Sequence, residues 1–347
     1  MKIPDTPFRV EYEVTGVCNL NCLYCYAKPF SLYVPTFDEV KYIITKTRYE
    51  ADPFDFALLG GEPFTRKDIL EIFELVTDLF KGRRFGASSN GTLLSTLSEE
   101  QLSRLKNYVR EGFSLQISLD SIDKKINDIV RGKTEKTLEG IKTLKEHNIP
   151  FSLGIIMTKY NVNDITNSLE ILIKDNYPVN SINLEILQPT ITLGKAYFDI
   201  KLDRSLSEKV YYDVKKLIAD LGRKDIEING PIDESCAKFN YAEQAVNSLN
   251  IKTCLAGFTR AAILPNGIVT PCTTTRTINL GDLNKESWTD IWKRARERFL
   301  KLNTVTNSVS NQCSINLSIR KEEIDNFIAM FRKEEREKEH IKNTIKY

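Results

Sequence analysis

The stretch Val17-Cys18-Asn19-Leu20-Asn21-Cys22-Leu23-Tyr24-Cys25-Tyr26 concentrates three of the seven cysteines of this chain. Three thiolates in a Cys-x3-Cys-x2-Cys spacing on a short loop can hold one soft metal centre and leave a coordination position free of protein. Structural zinc normally takes a fourth ligand from a second cysteine pair or a histidine pair, and neither accompanies this loop. The spacing therefore indicates a soft metal centre with an open position, with zinc as the less favoured alternative.

This loop, with the aromatic Tyr24 just before the third cysteine, resembles the cluster-binding loop of radical S-adenosylmethionine enzymes. The resemblance implies a 4Fe-4S cluster held by Cys18, Cys22 and Cys25, with its fourth iron chelated by S-adenosylmethionine. It further implies that an electron from the cluster cleaves the sulfonium, and that the resulting 5'-deoxyadenosyl radical abstracts a hydrogen atom from a substrate. The protein would position and shield this cofactor chemistry.

Length and composition agree with a folded enzyme. A chain of 347 residues predicts one barrel-sized domain with a smaller appendage. The 49 basic residues nearly balance the 47 acidic ones, which gives no sign of a nucleic-acid partner. We find no signal peptide and no apolar run of membrane-spanning length, so we expect no membrane partner. The odd number of cysteines argues against a secreted disulfide framework and favours a cytoplasmic protein.

Strand and helix patterns alternate along the first part of the chain. Alternation at 8–15 predicts a strand that delivers the cysteine loop at its C-terminal end, where parallel barrels place their active sites. We predict further strands at 54–59, 85–89, 113–119, 150–158 and 181–187, and helices at 36–49 (capped by Thr36), 67–80, 138–146 and 162–174. Six such units predict an α/β fold with a parallel sheet. Periodicity leaves the type of sheet open, whereas the resemblance implies a partial, open (β/α)6 TIM-like barrel.

The second predicted strand ends in Gly60-Gly61-Glu62-Pro63. Two glycines at a strand end let backbone approach a ligand closely, because no side chain intervenes. A simple turn explains the same residues. Placed after the cysteine loop, the motif resembles the Gly-Gly-Glu-Pro element of the family, which implies that its backbone and Glu62 receive the methionyl ammonium group.

Polar residues close several of the later strands. Asn90 and Asp120 have turn and helix-cap roles as alternatives. The resemblance implies that Ser118 and Asp120 meet the ribose or carboxylate of S-adenosylmethionine, with Asn90 nearby, and that adenine lies near Gln188. It also implies that Arg131 pairs with the cofactor carboxylate. A solvated surface arginine is the alternative for Arg131.

The pattern changes after a predicted helix at 205–221, which Ser205 and Glu208 would enter as a capping box. A hairpin is predicted at 263–269. The element Gly267-x4-Cys272, preceded by Cys254 and followed by a helix near 288–300, resembles a SPASM or shorter twitch extension, which implies an auxiliary 4Fe-4S cluster.

The dense cysteine group expected near 305–330 of a full SPASM domain is reduced to Cys313. We therefore expect one auxiliary cluster on Cys254, Cys272 and Cys313, with Cys236, substrate or solvent as the fourth ligand. Buried free cysteines are the alternative. The expected domains are a radical SAM barrel at 1–222, a small α+β iron-sulfur extension at 223–320 and a charged C-terminal helix at 321–347.

The resemblance predicts a radical SAM oxidoreductase or maturase that oxidatively modifies a peptide, a protein or a cofactor precursor of the molybdopterin, tungstopterin or haem type. Expected partners are an electron donor such as ferredoxin or flavodoxin and, since few residues precede the first strand, a separate leader-binding protein. Thr273 stands where sulfatase-maturing relatives have an aspartate, and the chain does not end in the Gly-Gly of molybdopterin-forming relatives. Both of those activities are therefore disfavoured.

A non-catalytic iron-sulfur protein, either an electron carrier or a scaffold, is the alternative from another class. Such a protein would have lost its nucleotide site. The motif at 60–63 and the residues Ser118 and Asp120 are all present, which favours the enzyme.

Overall fold

The computed structural model describes residues 5–28, 32–188, 193, 196–230, 256–257, 259–276 and 278–305, with the side chains of all but 204 and 298–305. Ten strands in this part of the chain form one sheet. They are β1 (Arg9–Glu13), β2 (Asp55–Leu59), β3 (Arg84–Ser89), β4 (Phe113–Ser118), β5 (Phe151–Met157), β6 (Val179–Ile186), β7 (Glu227–Asn229), β8 (Arg260–Ile263), β9 (Ile268–Thr270) and β10 (Gly281–Asp282).

The sheet is an open, partial barrel. Its order is β10-β9-β8-β1-β2-β3-β4-β5-β6-β7. Strands β1 to β7 are parallel neighbours in chain order, and β8 adds to the other side of β1 in parallel. A doubly wound sheet would reverse its order at a switch point. The six predicted parallel strands and the α/β partial barrel are therefore confirmed.

Helices connect the parallel strands. Those in the described part are α1 (Phe37–Lys46), α2 (Ile69–Leu79), α3 (Glu99–Arg110), α4 (Lys124–Val130), α5 (Thr134–Glu146), α6 (Ile165–Lys174), α7 (Ala196–Ile200), α8 (Arg204–Asp220) and α9 (Trp288–Val305). Thr36 caps α1 as predicted: its hydroxyl accepts from Glu39 N at 3.3 Å, and Thr36 N donates to Glu39 Oε2 at 2.7 Å. The capping box predicted for α8 is wrong. The helix begins at Arg204, so Ser205 lies inside its first turn; the N-cap position is Asp203, whose side chain makes no capping hydrogen bond.

One face of the parallel strands packs against the helices and forms the hydrophobic core. Val10 and Tyr12 of β1 are fully buried there. On β2, the ring of Phe56 stacks on Phe80, with centroids 4.4 Å apart. Truncating a buried ring of this kind to alanine costs about 3–5 kcal/mol. This core fixes the strands, and so fixes where their carboxyl ends lie.

The opposite face of the strands is called the inner face below. Successive strand residues point to opposite faces, and residues paired across parallel strands share a face. The register pairs Arg9 with Asp55 and with Arg260, and Gly154 with Ser118 and with Asn183. The charged and polar residues of the inner face include Arg9, Glu11, Glu13, Asp55, Ser88, Gln116, Ser118, Asn183, Glu185, Asn229 and Arg260.

Hydrogen-bonded uncharged side chains cross the inner face from β3 to β7. Gln116 Nε2 donates to Ser88 Oγ at 3.4 Å, Asn183 Nδ2 donates to Gln116 Oε1 at 2.8 Å, and Asn229 Nδ2 donates to Asn183 Oδ1 at 2.9 Å. The interiors of closed TIM barrels are filled mainly by valine, isoleucine and leucine. The inner face here is polar instead, which suits a ligand rather than a packed apolar core.

The segment after β7 returns to the same sheet. β8 and β9 form the predicted hairpin, in which Gly267 has a φ of 85° and its N–H donates to the Leu264 carbonyl at 2.9 Å. Trp288 at the start of α9 is fully buried, and its Nε1 donates to Thr47 Oγ1 at 3.1 Å. Strands on both sides of residue 222 therefore belong to one sheet. Within the described residues, no helix is long and apolar enough to cross a membrane.

Candidate active site

The cysteine loop leaves the carboxyl end of β1. Cys18, Cys22 and Cys25 are each partly exposed. Burial raises the pKa of Cys18, and it raises the pKa of Cys22 to about 11; in each case the Cys25 thiol raises the pKa further. The three sulfurs therefore lie within electrostatic reach of one another. A metal that binds them must displace their protons, which couples binding to pH.

The spacing of these sulfurs distinguishes two kinds of centre. Within the described residues, no group of three or more His, Cys, Asp or Glu side chains converges on a single metal ion. Zinc would require sulfurs at about 2.3 Å from one ion. Cysteines that ligate a cluster bind separate irons, so they need not converge on one point. The arrangement fits a cluster better than it fits zinc.

The Gly-Gly-Glu-Pro turn lies directly against the cysteine loop. Gly61 N donates to Thr15 O and Glu62 N donates to Val17 O, both at 2.8 Å. A Cβ on Gly61 would lie 2.1 Å from Val17 O, and a Cβ on Gly60 would lie 2.6 Å from Thr15 O. Backbone therefore meets backbone at this point, and neither glycine has room for a side chain.

Glu62 is almost fully buried beneath this turn. Its Oε1 accepts from Phe64 N at 3.0 Å and Ser89 Oγ at 2.8 Å, and its Oε2 accepts from Asn90 N at 2.7 Å. Burial raises the pKa of Glu62 to about 7, although the three hydrogen bonds lower it. Pro63 is buried at the first position of the short 3-10 turn that Glu62 caps. Glu62 thus joins the ends of β2 and β3.

Asn90 connects the end of β3 to the cysteine loop. Its Nδ2 donates to Asn19 Oδ1 at 2.9 Å and lies 4.0 Å from Cys18 Sγ. Asn19 Nδ2 in turn donates to Thr92 Oγ1 at 2.8 Å, and that hydroxyl donates to Asn90 Oδ1 at 2.6 Å. This cycle of three polar side chains holds the first cysteine at the barrel rim.

Asp120 binds protein groups through both carboxylate oxygens. Tyr24 OH donates to its Oδ2, and Ile156 N donates to its Oδ1 at 3.0 Å. Arg131 Nε lies 3.0 Å from the same Oδ1, and its guanidinium lies 5.3 Å from the centre of the Tyr24 ring. Burial disfavours the charge of Arg131, but Asp120 and Tyr24 raise its pKa overall. Asp120 and Arg131 therefore hold the aromatic residue of the cysteine loop.

The alternative of a solvated Arg131 is wrong, because its side chain is 9% exposed. A cleft of about 430 Å³ opens beside it, between residues 18–21 and 128–133. Ser118 is partly buried at the last position of β4. Gln188 is exposed, and its Nε2 donates to Ile186 O at 3.5 Å. The predicted cofactor residues thus lie around one rim of the barrel, and Gln188 is the most exposed of them.

Cys272 is buried just after β9. Its Sγ lies 3.2 Å from Thr274 Oγ1 and 3.0 Å from Thr275 Oγ1. The other predicted auxiliary ligands, Cys236, Cys254 and Cys313, lie outside the described residues, as does the predicted C-terminal helix at 321–347.

Three asparagines that position the site, Asn19, Asn127 and Asn161, are not predicted from the sequence. Asn127 Oδ1 accepts from Asp120 N at 3.0 Å, and Asn161 Nδ2 donates to Asp120 O at 3.1 Å. A usable signal was present for Asn19 and Asn161, which lie within a few residues of a cysteine or of a predicted strand end, but not for Asn127.

The open parallel barrel, with a three-cysteine loop and a glycine turn at one rim, defines a class of protein that binds an iron-sulfur cluster together with S-adenosylmethionine. Residues 12–172 match the model of the Radical SAM superfamily, and residues 254–315 match that of SPASM, an iron-sulfur cluster-binding domain. The chain belongs to the radical SAM superfamily and carries a SPASM domain. Its class of cofactors is therefore 4Fe-4S clusters and S-adenosylmethionine.

Known proteins similar to the chain act on different substrates. The AdoMet-dependent heme synthase of Methanosarcina barkeri is 34% identical over 48% of this chain and 47% of its own length. The sporulation killing factor maturation protein SkfB of Bacillus subtilis is 26% identical over 85% of this chain and 67% of its own length. The chain therefore spans about half of the heme synthase and two thirds of SkfB.

Solved structures share the fold. Streptococcus suis SuiB bound to S-adenosylmethionine superposes with a TM-score of 0.66 at 16% identity, covering 83% of this chain and 66% of SuiB. Native anSMEcpe with bound AdoMet and a peptide gives a TM-score of 0.60 at 16% identity, covering 85% of this chain and 83% of anSMEcpe. At this identity the likeness establishes the fold alone.

Proposed function

We propose that this chain reductively cleaves S-adenosylmethionine and uses the resulting radical to oxidise a bound substrate. The observation that carries this proposal is the contact between Gly61 and Val17, where an added Cβ would lie 2.1 Å from the Val17 carbonyl oxygen. This contact makes the cysteine loop and the Gly-Gly-Glu-Pro turn parts of a single site. A non-catalytic iron-sulfur protein would have no need for that junction.

Cys18, Cys22 and Cys25 would hold the first cluster in this proposal. When bound, that cluster supplies the electron that cleaves S-adenosylmethionine, and the adenosyl product removes hydrogen from substrate. The backbone at 60–63 would bind the methionyl end, while Glu62 holds the turn through its three hydrogen bonds. Ser118 is the remaining partly exposed hydroxyl at the end of β4, and we assign it to the nucleoside.

Asp120 and Arg131 have different proposed roles, and only Arg131 is assigned to contact the cofactor. Both oxygens of Asp120 are engaged by Tyr24 and Ile156, so we assign Asp120 to positioning the aromatic residue of the loop. Arg131 borders the cleft beside Cys18. It can receive a cofactor carboxylate there if it exchanges part of its contact with Asp120.

An auxiliary cluster on Cys254, Cys272 and Cys313 is the second part of the proposal. The match of residues 254–315 to the SPASM model supports it. We assign this cluster the acceptor role for the electron left on substrate after hydrogen removal, with Cys236 as its fourth ligand. The Cys236→Ala variant should then change the paramagnetic spectrum of the auxiliary cluster and stop product formation while deoxyadenosine release continues. An unchanged spectrum with full activity would remove Cys236 from the site.

We propose a peptide or protein as the substrate. We propose a ferredoxin or flavodoxin as the electron donor to the first cluster. The support is the alignment with SkfB, a maturation protein, over 85% of this chain. A haem-type cofactor precursor is the second candidate, because the heme synthase of M. barkeri has the higher identity of the two, at 34%.

The test is anaerobic reconstitution followed by incubation with dithionite and S-adenosylmethionine. We expect 5'-deoxyadenosine from the unaltered chain. The triple variant Cys18→Ala, Cys22→Ala, Cys25→Ala should produce none while it retains the iron of the auxiliary cluster. Deoxyadenosine from the triple variant at the unaltered rate would overturn the cysteine assignment. An iron-loaded chain that makes no deoxyadenosine, with or without candidate peptides, would favour the electron carrier.

A further inference from the structure

The inner face carries charged side chains as well as the uncharged ladder, among them residues of β1, β2, β6 and β8. The hydrogen-bonded ladder from Ser88 to Asn229 consists of hydroxyl and amide groups. By contrast, Glu11 and Glu13 of β1, Glu185 of β6 and Arg260 of β8 place charges on the same face. Glu13 is the last residue of β1 and Glu185 the penultimate residue of β6. Both therefore lie at the rim that carries the cysteine loop.

Most charges on this face already have partners. Arg9 Nε lies 3.0 Å from Glu11 Oε1, and Arg9 Nη1 lies 3.2 Å from Asp55 Oδ2. Arg276, in the loop after β9, pairs with Glu13 through Glu13 Oε1. Arg9 is thus shared by two carboxylates and cannot bind a further anion without losing one of them.

Glu185 differs from these residues. It is exposed, and it has no hydrogen-bond or ion-pair partner within the described part of the chain. Desolvation inside the barrel nevertheless raises the pKa of Glu185. The guanidinium groups of Arg131, Arg9 and Arg260 lower that pKa, and the Glu11 carboxylate raises it further. Those neighbours belong to β1, β8 and the loop after α4. The register of β6 with β5 places Glu185 on the inner face, and its side chain is accessible to solvent there.

A second acceptor on the same face is also unsatisfied. Glu13 is fully buried, and among the described residues its Oε2 has no hydrogen-bond partner. A buried carboxylate oxygen without a donor carries a large desolvation cost. Its position at the end of β1, next to the cysteine loop, puts this vacant acceptor where a substrate would approach the site.

We infer that the barrel binds its substrate through a cationic group, an ammonium or guanidinium, which the Glu185 carboxylate receives. This inference rests on the proposed function and narrows its substrate class to lysine- or arginine-bearing peptides. The matching chemistry is a charge-assisted hydrogen bond between an N–H donor and a carboxylate. A substrate that presented a carboxylate to this part of the inner face would be repelled by the like charge of Glu185. Arg9 and Arg276 are already paired with carboxylates of the chain.

The test compares four peptides on the reconstituted chain with S-adenosylmethionine present. Each is Ac-Gly-Gly-X-Gly-Gly-NH2, with lysine, arginine, norleucine or glutamate at X, and binding is measured by anaerobic calorimetry. We expect the lysine or the arginine peptide to bind at least about tenfold more tightly than the norleucine peptide. The Glu185→Gln variant should lose that preference. Glu170→Gln, the same change on the outer helix α6, should keep it.

A charge reversal distinguishes the loss of the Glu185 carboxylate from a loss of folded structure. Glu185→Lys should bind the glutamate peptide more tightly than the lysine peptide. The inference is overturned if neither cationic peptide binds better than norleucine, if the unaltered chain prefers glutamate, or if the preference survives in Glu185→Gln. Deoxyadenosine formation by the unaltered chain, measured on the same preparation, tests the proposed function separately.

Discussion

Asn90 Nδ2 donates to Asn19 Oδ1 at 2.9 Å, across 71 residues of sequence. The bond ties the end of β3 to the loop between the first two cysteines. Asn90 Oδ1 also accepts from Thr92 N at 3.0 Å. One amide therefore fixes both the strand end and the loop that is proposed to hold the cluster.

Replacing Asn90 by alanine should weaken the cysteine loop. The change removes the donor to Asn19 and the acceptor for both Thr92 N and Thr92 Oγ1, and each hydrogen bond is worth about 1 kcal/mol. We expect iron content and the deoxyadenosine rate to fall several-fold while the circular dichroism spectrum stays the same. Asn180→Ala, at an exposed position of β6, serves as the control. Full iron content in Asn90→Ala would contradict this role.

Gly61→Ala should displace the cysteine loop by steric contact. Its Cβ would lie 2.1 Å from Val17 O, far inside van der Waals distance. We expect loss of most visible iron-sulfur absorbance after reconstitution. Gly82→Ala is the control without a steric contact, because nothing lies within 4 Å of its added Cβ, although its φ of 82° itself strains an alanine. Similar cluster loading in the two variants would show that the contact at Gly61 is dispensable.

Asp120 and Arg131 should behave as a coupled buried pair. Asp120→Ala leaves the Arg131 charge buried without its partner, which costs about 3–5 kcal/mol. Tyr24→Phe removes only a hydroxyl donor and should cost about 1 kcal/mol. In urea unfolding, the double variant Asp120→Ala, Arg131→Ala should lose less stability than the sum of the two single variants. Strict additivity would argue that the two side chains do not interact.

Glu62 should make stability depend on pH. Its pKa is raised from 4.5 to about 7 in the folded chain, so folding favours the protonated carboxyl. This contribution is complete below about pH 4.5 and is lost as the pH rises through about 7, a change on the order of 3 kcal/mol. Urea unfolding between pH 4.5 and 8 should show this decline, and Glu62→Gln should flatten it. The surface change Glu139→Gln should not, and an equal slope in Glu62→Gln would exclude Glu62 as the source.

Features that depend on neighbours in sequence were predicted correctly. Thr36 and Glu39 lie three residues apart and form their capping box locally. The hairpin at Gly267 needs only a residue that accepts a positive φ. The spacing of Cys18, Cys22 and Cys25 is likewise local, since a short loop keeps three cysteines together however the rest of the chain folds. The start of α8 was predicted wrongly because the helix begins at Arg204 without a side-chain capping bond from Asp203, so the capping pattern at Ser205 does not mark its first residue.

Features that depend on distant parts of the chain were decided by the tertiary structure. Arg131 is buried because the cysteine loop brings Tyr24 to it from far away in sequence, beside Asp120 at the end of β4. The alternation of β1 predicted two faces but not that Glu11 and Glu13 would face the inside of a barrel. A period of two separates the faces of a strand, whereas only the curvature of the whole sheet determines that the charged face encloses a binding site.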